Sequence, residues 1–322
     1  MSNYQHSRRQ ASHATNQRRA SSSARQATSR NRATTSRHPS SSHSRTQRPA
    51  PSRSRLPLAI AALAVLAIIV GVATTSFLNG SNDTAASTSN SSRTAYVSPY
   101  DFSGLSSQGD RMTYTEGGVL KSQVGVDVSE HQGTIDWEAV KNDGIAFAFL
   151  RIGNRGTTEG GLFADSMFEE NLTDAKAAGL QVGAYFYSQA TSVEEAQEEA
   201  DFVIGILKGR SLDLPVVFDH EQDTTTNARG NSVDRSTLTA AANAFCERIE
   251  QAGYTAMIYG NKVDIARLNL NDLGNRPVWF AEYSAAQPSG QFDFAIWQYT
   301  NNGDVAGIST PVDLNLRFTD AL

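Results

Sequence analysis

The sequence predicts an α/β protein whose main domain is an irregular (β/α) barrel of about eight mostly parallel strands. Three observations lead there. Short apolar runs alternate with helical patterns from residue 123 onward, about eight such runs fit into some 200 residues, and a lone cysteine, Cys246, leaves the fold to be held by its own core. A domain of that length buries roughly 70% of its unfolded-chain surface, which is enough for one.

The strand-like runs are Val124 to Val128, Ile145 to Ile152, Gln181 to Tyr187, Pro215 to Asp219, Ala256 to Tyr259, Pro277 to Ala281, Phe294 to Tyr299 and Val312 to Leu316. Helical patterns fall between the earlier ones, at 136–143, 166–178, 193–208 and 234–252. In the last of these, Leu238, Ala242, Phe245 and Ile249 mark a buried stripe, and Cys246 beside it reads as a core thiol. Helices are short or missing near the end of the chain, so the barrel is irregular, and no fixed-period repeat is visible.

What precedes the barrel is of another kind. The 322-residue chain carries 28 Lys+Arg and 33 Asp+Glu, a net charge of −5. Residues 1–55 hold 12 of those basic residues, all Arg, and no acid, so the two parts carry +12 and −17. Ser, Arg, Thr, Gln and Ala dominate residues 1–55, which cannot bury enough apolar surface to offset chain entropy and read as a disordered tail. Leu56 to Leu78 is an uncharged stretch of 23 residues, long enough for one transmembrane helix. A cleaved signal peptide is the rival reading, but its basic region is short and its apolar region is about 7 to 15 residues. Arg37, Arg45, Arg48, Arg53 and Arg55 precede the span and Asn79 to Asp83 follow it, which places the N-terminus in the cytoplasm and the barrel outside. Residues 79–122 form a linker and pre-barrel segment. Its first part, rich in Ser, Thr and Asn, reads as flexible, whereas 96–122 regain Tyr96, Tyr100, Phe102, Met112 and Tyr114, and the sequence leaves open whether they pack on the barrel. The barrel domain is assigned to 123–322.

Acidic residues recur at the strand ends. Asp127 lies near the end of the first, Asp219 and Glu221 close the fourth, and Asp313 lies on the last. In a (β/α) barrel the C-terminal strand ends form the active-site floor, so the four carboxylates are expected around one pocket. Asp219 and Glu221 are two apart and point to one face, with His220 on the other. Carboxylates that close cannot all ionise easily, so one is expected to stay protonated near neutral pH. A protonated carboxyl beside an ionised one suits glycosidic bond cleavage; a helix cap or a solvated loop is the plainer account of Asp-x-Glu. Tyr185, Tyr187, Tyr259, Trp279, Tyr283, Trp297 and Gln298 fall at or near strand ends, where aromatic faces hold sugar rings; core packing is the alternative for about half of the aromatic ones. His131 beside the first strand end is a weaker candidate for substrate contact.

Gly125-Val-Asp-Val-Ser-Glu-His-Gln-Gly133 followed by Ile135-Asp-Trp137 resembles the N-terminal signature of the family 25 glycoside hydrolases, the Chalaropsis-type lysozymes. Val182 to Tyr187, Pro215 to Glu221, Pro277 to Tyr283, Ile296 to Tyr299 and Val312 to Asn315 follow in the family's order, so the resemblance covers about 123–322. It implies a flattened barrel and an N-acetylmuramidase cutting the β-1,4 bond between N-acetylmuramic acid and N-acetylglucosamine in peptidoglycan. It also implies Glu221 as general acid, Asp219 orienting the 2-acetamido group or stabilising the oxocarbenium-like state, and Asp127 and Asp313 tuning charge and holding substrate. His220 departs from the family, which more often has an apolar residue there, and is expected to pack against the helix layer.

The expected partners are therefore peptidoglycan glycan strands and, through 56–78, a lipid bilayer, with a monomeric catalytic domain at the cell wall, no nucleic acid for that domain and no cofactor. Contact of the Arg-rich tail with nucleic acid or acidic lipid stays open. A noncatalytic glycan-binding module on the same fold and a divalent-metal hydrolase using the same carboxylates remain the competing readings.

Overall fold

The computed structural model describes residues 95–322. The expected tail at 1–55, membrane span at 56–78 and the start of the linker lie outside the described residues; among those described, no helix is long and apolar enough to cross a membrane.

Three strands precede the barrel: β1 (Leu105–Gln108), β2 (Arg111–Glu116) and β3 (Val119–Leu120) form a small antiparallel sheet. The barrel is built from β4 (Ser122–Val128), β5 (Phe147–Arg155), β7 (Gln181–Tyr187), β8 (Val216–Asp219), β9 (Ala256–Asn261), β10 (Val278–Ala281), β11 (Ile296–Gly303) and β12 (Val312–Phe318), with β6 (Leu162–Ala164) a short hairpin partner of β5 outside the ring. Neighbours run β4-β12-β11-β10-β9-β8-β7-β5, and β4 pairs with β5 to close the circle. All eight expected strands are present. The pairings are parallel except around β12, which is antiparallel to both β11 and β4. The cause lies in the short connection after β11: residues 304–311 contain no helix, and a turn that short returns the chain antiparallel.

The helices are α1 (Trp137–Asn142), α2 (Phe168–Ala177), α3 (Val193–Leu207), α4 (Arg235–Gln251) and α5 (Lys262–Ala266). Side chains that stop the chain from extending also start the helices: Ser192 caps α3 through the Glu195 N–H at 3.3 Å, and Asp234 caps α4 through the Ser236 N–H at 2.9 Å. Leu238, Ala242, Phe245 and Ile249 are buried on α4, and burial pushes the Cys246 thiol up to about 12, as befits a core thiol.

Strand alternation separates two cores. Val126, Leu150, Phe186, Phe218, Ile258, Phe280 and Leu314 face outward into the helix layer. Phe147, Phe149, Val217, Met257, Trp279 and Ile296 fill the barrel. Glycines make that filling possible. A Cβ at Gly125 would stand 2.3 Å from the Phe147 ring and one at Gly183 2.4 Å from the Phe149 ring, so both phenylalanines lie on bare backbone.

The segment from Tyr96 to Lys121 packs on the barrel, which settles what the sequence left open. Tyr100 stacks on Phe318 with ring centroids 3.9 Å apart and donates its hydroxyl to the Phe294 carbonyl at 2.8 Å. Tyr96 donates to the Phe292 carbonyl at 2.9 Å, and the Tyr114 N–H donates to Ser122 Oγ at 2.8 Å. All of these lie at the end where the parallel strands begin.

Candidate active site

At the opposite end, the interior changes from apolar to acidic within one turn of side chains. Trp279, stacked on Phe149 at 4.7 Å, forms the last apolar layer and donates its indole N–H to Asn315 Oδ1 at 2.7 Å. Above it lies Asp127. One of its oxygens accepts from Asn315 Nδ2 at 2.7 Å and from Gln298 Nε2 at 2.8 Å. Gln298 is oriented in turn, because its Oε1 accepts from the hydroxyls of Tyr259 and Tyr283, each at 2.8 Å. Two donated amide protons favour the carboxylate form of Asp127 while burial opposes it, and burial prevails, raising the group to about 6.

The remaining acids converge on the same mouth. Asp313 sits directly opposite Asp127 across the β4–β12 pair. Asp219 ends β8 between Tyr187 and Tyr259 in register, and its Oδ1 is buried without a partner. Burial first, then the charges of Glu221, Asp264 and Asp127, push Asp219 well above the usual carboxylate range; burial, Asp127 and Glu221 do the same to Asp313. Glu221 follows β8. Burial and then the neighbouring Asp264, Asp127 and Asp223 push it up to about 8, against a lowering hydrogen bond with Asp219. Of these two groups Glu221 therefore keeps its proton to the higher pH and Asp127 gives its proton up first, the division of roles that acid-assisted bond cleavage uses.

The structure brings the four expected carboxylates together and sorts the expected substrate-binding side chains. Tyr185, Tyr187 and Tyr283 are half-buried or exposed around the mouth, with the Tyr187 hydroxyl donated to Asp223 Oδ2 at 2.7 Å. Tyr259, Gln298 and Trp279 are buried beneath it. Trp297 needs correction. Odd and even positions of β11 face opposite ways, so Gln298 points inward while Trp297 is fully buried in the outer core, its indole N–H donated to the Glu282 carbonyl at 3.0 Å. His220 does pack outward, as expected. Its ring stacks 6.0 Å from Phe218 and bonds to the Ala190 carbonyl at 3.1 Å, and burial lowers it to about 4, so it is neutral. His131 is exposed and 3.4 Å from Arg151 Nη1.

Three contributors escaped the sequence reading. Arg151, two residues beyond Phe149 on the inward face of β5, bonds Asp165 at 2.8 Å and Glu130 at 3.0 Å. Its charge opposes the rise of Asp219. Asn315 is two residues beyond Asp313, so alternation would have found both. Asp264 lies on α5, where no strand pattern points to it. Among the described residues no His/Cys/Asp/Glu group has the arrangement of a metal site.

The family model described as "Glycosyl hydrolases family 25" matches residues 126–308. The autolytic lysozyme of Clostridium acetobutylicum is 29% identical over 192 residues, 59% of this chain and 54% of that protein. Lysozyme M1 of Streptomyces globisporus is 29% identical over 203 residues, 59% and 66% of the two chains. The chain thus spans about half the length of the first relative and two-thirds of the second. Among solved structures, the spore cortex lytic enzyme SleM of Clostridium perfringens superposes with a TM-score of 0.54 at 25% identity, covering 61% of this chain and 67% of that one.

Proposed function

Because the chain belongs to the glycosyl hydrolases of family 25, we propose that it is a muramidase that hydrolyses the β-1,4 bond between N-acetylmuramic acid and N-acetylglucosamine in peptidoglycan. Glu221 gives its proton to the glycosidic oxygen as the bond breaks, and a water molecule supplies the hydroxyl that bonds to the anomeric carbon, its remaining proton returning to the carboxyl cluster. Asp219 orients the 2-acetamido group or stabilises the positive charge that develops at the anomeric carbon, and Asp127 and Asp313 tune the charge around that centre and hold substrate. Tyr185, Tyr187 and Tyr283 offer ring faces and hydroxyls to the sugars at the rim. The single observation that carries this reading is the convergence of Glu221 and Asp219 at the end of β8 with Asp127 and Asp313 on paired strands at the mouth of the barrel, where burial and like charge push the Glu221 carboxyl up.

The uncharged stretch at 56–78, with arginines before it and none immediately after, supports a single-pass membrane anchor with the tail in the cytoplasm and the barrel at the cell wall. The lysozyme names of the relatives support peptidoglycan as substrate.

The test is a peptidoglycan suspension. The protein is expected to clear it and to release new reducing ends, and Glu221→Gln is expected to lower the rate by at least about 100-fold. Wild type and variant that are equally inert would favour a binding module. Loss of clearing with EDTA, restored by a divalent cation, would favour a metal hydrolase.

A further inference from the structure

The loop that carries Glu221 is held by side chains outside the chemistry described above. The amide group joining Glu221 to Gln222 is gripped on both sides. The Glu221 carbonyl accepts from Gln189 Nε2 at 3.3 Å, and the Gln222 N–H donates to Asp264 Oδ1 at 3.0 Å. Gln189 is fully buried and Asp264 is 2% exposed. The two arms meet behind the loop: Gln189 Oε1 accepts from the Gly230 N–H at 3.1 Å, the Gly230 carbonyl accepts from Arg267 Nη2 at 2.6 Å, and Arg267 Nη1 lies 3.8 Å from Asp264 Oδ1. Bare backbone makes room on both sides. A Cβ at Gly230 would come within 2.7 Å of Gln189 Oε1, and one at Gly260 within 2.9 Å of the Asp264 Cβ.

We propose that Asp264 is a positioning residue for Glu221: it holds the amide group behind the carboxyl and supplies a buried negative charge that keeps the Glu221 proton in place. Its catalytic meaning rests on the muramidase reading, whereas its geometry does not. The second carboxylate oxygen of Asp264, Oδ2, is buried without a partner, so the charge is only partly met by Arg267. After burial itself, Asp264 is the largest influence raising Glu221. The other acids facing Glu221 are Asp127 of β4, Asp219 of β8, Asp223 of its own loop and Asp313 of β12. The phenols of Tyr187, Tyr259 and Tyr283 face it too. Asp264 is itself raised by burial and lowered by the backbone of Gln222 and Asn261 and by Arg267.

Asp264→Asn separates the two roles, because the amide oxygen still accepts from Gln222 while the charge is gone. In the full chain labelled with carbon-13 at its glutamate carboxyls, the Glu221→Gln spectrum identifies the Glu221 resonance. Its titration midpoint is expected to fall by about one pH unit or more in Asp264→Asn; an unchanged midpoint overturns the proposal. Should that variant fail to fold, Arg267→Gln removes the opposing cation, and the midpoint is expected to rise. No movement, or a fall, overturns the proposal equally. Both readouts are made on the free protein. A chain that leaves peptidoglycan intact would therefore sink the muramidase reading alone, and an active enzyme with an unmoved midpoint would sink the role of Asp264 alone.

Discussion

The two ends of the barrel are made by the same strands and obey opposite rules. β12 shows both within six residues: Asp313 stands at the mouth among acids, while Phe318 lies at the foot against Tyr100 and Tyr114. At the foot, most of the polar groups named find partners, although the Tyr114 hydroxyl is buried without one. Lys121 pairs with Asp320 at 2.8 Å, and the Tyr96 and Tyr100 hydroxyls meet backbone carbonyls. At the mouth, Asp219 Oδ1 and Asp264 Oδ2 are buried with none, and carboxyls are held far above their usual range. Burial of like charges lowers stability, and it is concentrated where a proton must be held near neutral pH. The foot supplies cohesion without taking part in that chemistry.

Variants that cross function with stability would break this division if it is wrong. The largest effect is expected at the mouth, where Glu221→Gln lowers peptidoglycan cleavage by at least about 100-fold. Its melting temperature at pH 8 is expected to equal or exceed that of the wild type. At the foot, Tyr100→Ala is expected to remove roughly 2–3 kcal/mol of stability in denaturant titration, because it deletes a ring stacked at 3.9 Å. Activity per folded molecule should stay within about twofold. A Tyr100 variant that folds fully but loses catalysis would show that the ends are not independent.

A smaller effect concerns pH. Glu221 and Asp127 have folded-state values raised to about 8 and about 6, above those of the unfolded chain. Groups shifted this way favour the fold while protonated, so their contribution is complete in acid, below the unfolded values. It is lost as pH rises through about 6 and then about 8. Melting temperatures measured between pH 5 and pH 9 should therefore decline for the wild type and decline less for Glu221→Gln. Parallel curves would mean that Glu221 is not perturbed.

Most of the barrel was legible because its strands are short apolar runs between turns, and the four carboxylates were legible because each sits at a strand end. What escaped depends on closure in three dimensions. The antiparallel direction of β12 follows from a helix missing before it, and a missing helix has no positive signal in the sequence. The packing of Tyr96 to Lys121 depends on Phe294 and Phe318, about 200 positions away, so their aromatic content alone was ambiguous. Asp264 stands on a five-residue helix capped by Asn261, and only the fold brings it behind Glu221. Trp297 is the opposite case: its aromatic signal is strong, but the parity of the strand decides the face and turns the side chain into the outer core.

That parity supports the finest comparison, between neighbours on two sides of one wall. Tyr283 reaches the mouth, 40% exposed, and donates to Gln298 Oε1, which steadies the amide that holds Asp127. Trp297 lies behind the wall in the outer core, with its indole N–H on the Glu282 carbonyl. Tyr283→Phe keeps the ring but removes that donor, so KM for soluble peptidoglycan fragments is expected to rise a few-fold with stability nearly unchanged. Trp297→Phe should do the reverse. It strips the Glu282 carbonyl of its indole donor and leaves a small void, lowering stability by roughly 1–2 kcal/mol while kcat and KM hold. If Trp297→Phe raised KM as much as Tyr283→Phe, the wall between core and mouth would be softer than side-chain alternation implies, and the binding surface would extend onto the outer face through Glu282.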